Sequence, residues 1–480
     1  MFAGPNQNEV IVDTKKGSGS VLTVLFLGVL MGALDIAILG PAIPAIRETF
    51  ELDDRLASWV FSVWVLANLV SVPVMTKLAD KYGRKKIYLF DLALFGIGSL
   101  IVSLSPTYGV LLAGRALQGM AASGIFPVAA AVIGDVVAPE KRGRAFGMLG
   151  SVFGLAFIIG PIFAGFMLKI GWRWLYMAIP PGALIILILG WKFLPVSPVR
   201  SEKKLDLRGL VFLAGFLLSL AYALSILDTT DLVGSLSSWR VASAFLAASV
   251  LLPLFVWAER NVEDPVLRLD LFRNRQVALA SVIAVGAGIN EAAFIFFPTI
   301  TVLAFGVTTS TASFMLLPMM VAVAIGSPVA GRLLDKFGSK TIVLSSNFLL
   351  AMGMFGVATT TTAKPVFYIG SVLIGLGLAG LLGSSLNYIL IHEARKRERA
   401  ISQGLITLFI SVGQLFSAAV VGAIAASSDF ALDGYKTAFL VIVTATLLIS
   451  VASFFLKNKA EEQETVFGGG DSKSSEDAAS

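Results

Sequence analysis

Leu78-Ala79-Asp80-Lys81-Tyr82-Gly83-Arg84-Lys85 returns late in the chain as Leu333-Leu334-Asp335-Lys336-Phe337-Gly338-Ser339-Lys340. A second stretch, Arg142-Gly143-Arg144-Ala145, returns as Arg397-Glu398-Arg399-Ala400 at the same displacement of 255 residues (80 to 335, 142 to 397). Two separate signals in one register mean an internal duplication. Outward from each copy lie long apolar runs. The 480 residues are 56% hydrophobic and 14% charged, with a mean hydropathy of +0.85, far from a soluble balance. Taking stretches of about 20 apolar residues as spans predicts an all-α membrane protein with 14 transmembrane helices. They fall at 20–46, 57–78, 87–105, 108–134, 145–169, 172–194, 207–228, 238–258, 276–304, 309–334, 340–362, 365–391, 400–426 and 436–456.

The register pairs the first six helices with the last six. It predicts two pseudo-symmetric six-helix bundles, 20–194 and 276–456, plus two extra helices, the seventh and eighth, carried peripherally on a linker over 195–275. Residues 1–19 read as a cytoplasmic N-terminal segment with no cleavable signal peptide. Residues 457–480 read as a disordered cytoplasmic tail. The net charge of +6 is no nucleic-acid footprint, because the basic residues gather in alternate loops: Lys77 to Lys86, Lys141 to Arg144, Arg200 to Arg208, Arg260 to Arg275, Arg332 to Lys340 and Arg395 to Arg399. The positive-inside rule then puts both termini in the cytoplasm of a multi-pass cell-membrane protein, with anionic lipid headgroups as the ordinary partner of that charge.

Inside this frame the charged residues at depth stand out. Asp35 lies near the centre of the run Val21–Ile46, and Glu291 at the middle of Val277–Ala304, where Gly288-Ile-Asn-Glu291 echoes Gly32-Ala-Leu-Asp35. A midplane acid costs ~2.5–3.5 kcal/mol on insertion scales and marks a proton or cation site. Two in corresponding places point to a transporter with its site at the interface of the repeats. Arg115 falls seven residues into the fourth helix, about 10 Å deep, with Gln118 on its face at i+3. A fixed cation there sets when a nearby carboxylate releases its proton; the alternative is a hydrogen-bonding hub to backbone carbonyls. The register puts Gly370 opposite Arg115. Asp91, about 6 Å inside the third helix, is expected at the cytoplasmic rim.

Thr76-Lys-Leu78-Ala-Asp80-Lys81-Tyr-Gly83-Arg84-Lys85 resembles the loop signature of the major facilitator superfamily, between its second and third helices. Leu111-x-x-x-Arg115-x-x-Gln118-Gly119 resembles its fourth-helix signature, and Gly154-x5-Gly160-Pro161-x-x-Ala164-Gly165 the fifth-helix signature of antiporters. With Leu34-Asp35 and Ala42-Ile43-Pro44 on the first helix, the chain looks like the fourteen-helix drug:proton antiporter branch. The resemblance implies that Asp80, Gly83 and Arg84, with Asp335 and Gly338 in the second copy, form a cytoplasmic latch between the halves. The alternative is basic loops that only fix orientation. Thr76 departs from the family's glycine, which the second copy keeps as Gly331. On the fifth helix Gly150, Gly154, Pro161 and Gly165, spaced 4, 7 and 4 apart, with Gly160 beside the proline, predict close packing and a kink.

Other chemistry is excluded or weak. With no cysteine and one histidine, His392, neither a metal site nor a catalytic triad is expected. No GxxxxGK[ST] phosphate loop occurs, so ATP is not the energy source, and no cofactor or enzyme activity is expected. Gly375-x-Gly377-x-x-Gly380 lies inside an apolar helix and reads as helix packing. The leading function is secondary active, proton-coupled export of amphipathic or cationic drug-like compounds by alternating access, by a monomer whose partners are a small-molecule substrate, protons and membrane lipids. A proton-linked carrier of one metabolite is the alternative, suggested by Ala37 and Gly40 beside Asp35 where family drug exporters often have polar residues. A non-transporting membrane sensor or scaffold is the third possibility.

Overall fold

A computed structural model describes residues 18–137, 139–196, 207–260, 262, 265, 267, 269–359, 363–386, 388–389 and 399–462. His392 and the tail beyond residue 462 lie outside the described residues. The helices are α1 (Ser18–Thr49), α2 (Asp54–Tyr82), α3 (Arg84–Ser103), α4 (Tyr108–Val136), α5 (Pro139–Met167), α6 (Arg173–Met177), α7 (Ile179–Phe193), α8 (Leu207–Ser225), α9 (Leu232–Ser237) and α10 (Trp239–Arg260). After them come α11 (Arg275–Ile295), α12 (Phe297–Phe305), α13 (Thr309–Met315), α14 (Leu317–Phe337), α15 (Ser339–Thr359), α16 (Lys364–Gly380), α17 (Arg399–Ser427) and α18 (Ala431–Ser453).

The expectation of 14 spans is corrected. Among the described residues, 12 helices are long and apolar enough to cross a membrane, with α6–α7 and α13–α14 each counted as one. The predicted fifth and twelfth spans are represented by shorter apolar helices, Ser151–Met167 and Lys364–Gly380. α5 carries Glu140, Lys141, Arg142 and Arg144 in its first turns, and α16 passes into a π-helical segment at Leu381–Ser385. Apolar composition over a window does not register such interruptions. The protein is thus an all-α membrane protein with 12 candidate spans among the described residues, not two six-helix bundles plus two.

The helix ends follow from local sequence. Asp53 caps α2 by accepting from the Leu56 amide at 2.7 Å, and Thr107 starts α4 in the same way. Gly83 and Gly338 turn the chain between α2 and α3 and between α14 and α15 at φ +97° and +82°. Only glycine takes such angles without strain. After α18 the chain does not leave the body at once. Glu462, buried, accepts from the Ser339 amide at 3.2 Å and from the Ser339 hydroxyl, and Lys459 donates to the Lys336 carbonyl at 2.8 Å. The first residues assigned to a disordered tail therefore cap α15.

α1 lies against α5 and α7, α3 against α4, α11 against α17, and α15 against α16 and α18. α8 rests on α2 and α17 and carries α10. The early and late helices meet at the end of the molecule opposite Gly83 and Gly338. There the buried Asp54 pairs with Arg47 at 2.9 Å and accepts from the Tyr435 hydroxyl of α18 at 2.7 Å. Ser310 and Ser313 of α13 donate to the Gly165 and Pro161 carbonyls of α5 at 2.5 and 2.8 Å. Tyr435→Phe removes the bond to Asp54 and almost no volume. A hydrogen bond to a charged group is worth ~1.5–3 kcal/mol, so this variant is expected to shift the population about tenfold or more toward opening at this end. Electron–electron distance measurement between spin labels at the exposed Glu51 and Asp429 checks it; a distribution identical to that of the unsubstituted protein would refute the lock.

Candidate proton and substrate site

α1, α2, α3 and α4 converge on one buried polar cluster. Asp35, Arg115, Gln118 and Ser99 have no solvent exposure. Arg115 Nη1 donates to Asp35 Oδ2 and Oδ1 at 2.9 and 3.1 Å and to Gln118 Oε1 at 2.9 Å. Gln118 Nε2 donates to Asp35 Oδ1 at 3.0 Å and to Ser99 Oγ at 2.8 Å. Arg115 Nε reaches the Val60 carbonyl of α2 at 3.2 Å. The guanidinium lies 5.8 and 5.9 Å from the ring centres of Trp64 and Tyr176, within cation–π range. Among the described residues, Arg115 Nη2, Trp64 Nε1 and Tyr176 Oη are buried without a hydrogen-bond partner, so unspent donors remain around the ion pair. Arg115 thus pairs with a carboxylate and donates to one backbone carbonyl.

Glycine contacts set the helices at the right distance. A Cβ on Gly160 of α5 would collide with Ala37, two residues past Asp35. A Cβ on Gly40 would come 3.0 Å from the Ile295 carbonyl, four residues past Glu291. Ala37 and Gly40 are thus occupied by helix contacts. On the other side, a Cβ on Gly288 would strike the Ile410 carbonyl and one on Gly413 the Val285 carbonyl, so α11 and α17 touch backbone to backbone. That contact sets Glu291 beside Gln414 of α17, which hydrogen-bonds its carboxylate. Asn290, one position round the helix, donates instead to Thr446 of α18 at 2.9 Å.

The loop-motif residues bond within the early helices here. Arg84 donates to Asp135 of α4 and to the Ala131 carbonyl at 2.7 Å, while its approach to Asp80 is 3.9 Å. Asp335 is exposed. On α5, Gly165 lets Phe314 of α13 come close, at 2.5 Å from where a Cβ would stand, whereas a Cβ on Gly154 would meet nothing within 4 Å. Gly150 falls in a stretch of α5 whose surroundings lie outside the described residues.

Two sequence expectations fail. Asp91 does not reach the rim: α3 begins at Arg84, so Asp91 lies seven residues in, about 10 Å, fully buried with both carboxylate oxygens unpartnered among the described residues. The residue opposite Arg115 is Ser371, not Gly370. Gly119 presses on the Trp64 carbonyl as Gly375 presses on that of Met319, and Gly98 faces Gly114 as Gly353 faces Gly370. α2 and α3 therefore map at 255 (64 to 319, 98 to 353) but α4 at 256 (114 to 370, 119 to 375). The repeated loops, both at 255, could not reveal the extra residue between. Gly375, Gly377 and Gly380 all serve such contacts. Sequence reasoning missed Ser99, Trp64, Tyr176 and Gln414 because neutral polar residues in apolar runs give no signal until a partner faces them.

The profile of the Major Facilitator Superfamily matches residues 25–417 and 277–475. The chain is 31% identical over 405 residues to the uncharacterised MFS-type transporter YfiU of Bacillus subtilis (strain 168), covering 83% of this chain and 78% of that protein. It is 29% identical over 412 residues to multidrug resistance protein 3 of the same organism, covering 84% and 79%. Among solved structures, a D-xylose-proton symporter superposes with a TM-score of 0.67 at 16% identity over 92% of this chain and 98% of that one, a likeness of fold.

Proposed function

The chain belongs to the major facilitator superfamily and is a multi-pass membrane transporter, and on that premise we propose that it exports amphipathic, often cationic, drug-like compounds in exchange for protons. The observation that carries this reading is the fully buried Asp35–Arg115–Gln118 cluster. Intramembrane acids with a fixed partner mark proton pathways, and multidrug resistance proteins stand among the relatives. Asp35 carries the coupling proton. When it is protonated, Arg115 loses its counter-charge and is left with Gln118 and the Val60 carbonyl, so proton binding changes the balance among four helices at once. Glu291, held by Gln414, takes the substrate's positive charge. Both termini lie in the cytoplasm, and the halves alternate by releasing the Asp54–Tyr435 contact while closing the ends that carry Asp80, Arg84 and Asp335.

The energy suffices. A proton moving inward gains about 2.3 kcal/mol per 100 mV and about 1.4 kcal/mol per pH unit. One proton exchanged for one monovalent cation is electroneutral and draws only on the pH gradient. The metabolite-carrier alternative rested on apolar Ala37 and Gly40, and their use in helix contacts removes that motive. The test is efflux of a fluorescent monovalent cation and of a neutral dye from cells, with and without a proton uncoupler. Efflux that ignores the uncoupler would sink the antiport reading. Glu291→Gln is expected to cut efflux of the cation about tenfold or more and leave that of the neutral dye within about twofold, a loss of ~1.4 kcal/mol or more of charge interaction. Equal loss of both would remove the charge-selecting role.

A further inference from the structure

Asp91 is a buried acid that the Asp35 cluster does not use. It has no solvent exposure, and neither carboxylate oxygen has a hydrogen-bond partner among the described residues. A Cβ on Gly124 of α4 would collide with Asp91 Oδ2, so the glycine makes the notch the carboxyl fills. The later helices repeat the notch with different chemistry: a Cβ on Gly380 of α16 would collide with Ser346 Oγ of α15. These are the matching positions (91 to 346 at 255, 124 to 380 at 256). A hydroxyl fills the same space in the second copy, so packing does not require an acid. The place of Asp91 is telling. It shares the α3–α4 seam with Ser99 and Gln118, eight residues along α3 from the first, about 12 Å. It lies between the Asp35 cluster and the end that carries Gly83.

The charged and titratable groups around it are committed elsewhere. On α3, Tyr88 donates to the Val24 and Leu25 carbonyls of α1 at 3.4 and 3.3 Å, Arg84 is paired with Asp135, and Lys85 donates to the Trp191 and Leu194 carbonyls; Lys86 stands on the exposed first turn. On α4, Arg115 and Gln118 serve Asp35. α2 offers Asp54 and Arg55 in its first turn, at the far end, and Lys77, Asp80, Lys81 and Tyr82 in its last turns. α6 holds Arg173, bonded to the Ser105 carbonyl, and Tyr176, against Arg115. α7 carries Lys192 in its last turn. A carboxylate without counter-charge in such a place is strongly disfavoured against its neutral acid.

We propose that Asp91 is a second proton-binding site of the transporter, separate from Asp35: a carboxylic acid in this conformation, which gives its proton to water at the Gly83 end when the α3–α4 seam loosens and takes one back on return. Its place in the transport cycle rests on the proton-coupled reading; its protonation does not. Difference infrared spectroscopy on the full chain in lipid vesicles, with Asp91→Asn alongside, reads the protonation directly. The expected result is a protonated-carboxyl carbonyl band at neutral pH that Asp91→Asn lacks. A band unchanged in the variant overturns the site. Should Asp91→Asn fail to insert, ¹³C-aspartate labelling of the Asp35→Asn/Asp54→Asn protein, which lacks the other two buried aspartates, must shift the band; no shift overturns the proposal equally. In transport, Asp91→Asn is expected to slow proton-driven efflux at least about tenfold with substrate affinity within about twofold. Wild-type rates at every pH would overturn the carrying role. Efflux by the unsubstituted protein that ignores the proton gradient would instead defeat the antiport reading, with the infrared band still reporting on Asp91.

Discussion

Arg115→Met is expected to destabilise the protein by ~3–5 kcal/mol, the usual cost of stranding one partner of a buried ion pair. The substitution fills similar volume but leaves Asp35 with Gln118 alone and strips the Val60 carbonyl of its donor. Trp64 and Tyr176 lose the cation between them. Adding Asp35→Asn should recover most of the loss, because no uncompensated charge is then buried, and the double-mutant cycle isolates the pair from its surroundings. Thermal unfolding in detergent of the four proteins measures it. A single variant that melts with the unsubstituted protein would mean that the pair does not hold α1 to α4.

Asp35→Asn is expected to cut proton-driven transport at least about a hundredfold while substrate still binds. Asparagine keeps the volume and can accept from Arg115 and Gln118, but it cannot take up and release a proton, and general acid–base groups contribute ~10²–10⁴ where proton transfer matters. The protein is expected to insert, since Arg115 retains Gln118, the Val60 carbonyl and two aromatic rings. Proteoliposomes with an imposed pH gradient give the rate, and fluorescence titration gives the affinity. Gradient-driven accumulation at the unsubstituted rate would remove Asp35 from coupling.

Charge at depth was the legible part of the sequence. Asp35, Arg115 and Gln118 stood out because charged and amide groups in long apolar runs demand partners, and the structure brings them within hydrogen-bond reach of one another. The duplicated loops were legible too, since Gly83 and Gly338 each reverse the chain at positive φ. The number of spans was not, because hydropathy scores composition and does not register charged first turns, as in α5, or a π-helical segment, as after α16. Burial of Asp91 was hidden by a helix start three residues earlier than the apolar run suggested. Contacts such as Tyr435 to Asp54 join positions 381 residues apart, and nothing in either neighbourhood announces the other.

The seat of Glu462 on Ser339 has a practical side. Residues 458–462 look dispensable in the sequence, a polar fringe where a purification handle would ordinarily be attached or a truncation made. Cutting after Lys457 would remove the side chain that accepts from the first amide of α15 and the lysine that ties down the Lys336 carbonyl, at the very turn whose geometry depends on Gly338. Handles belong beyond residue 462, and a shortened chain that behaves poorly would be reporting a damaged hinge rather than a fault in the transport site.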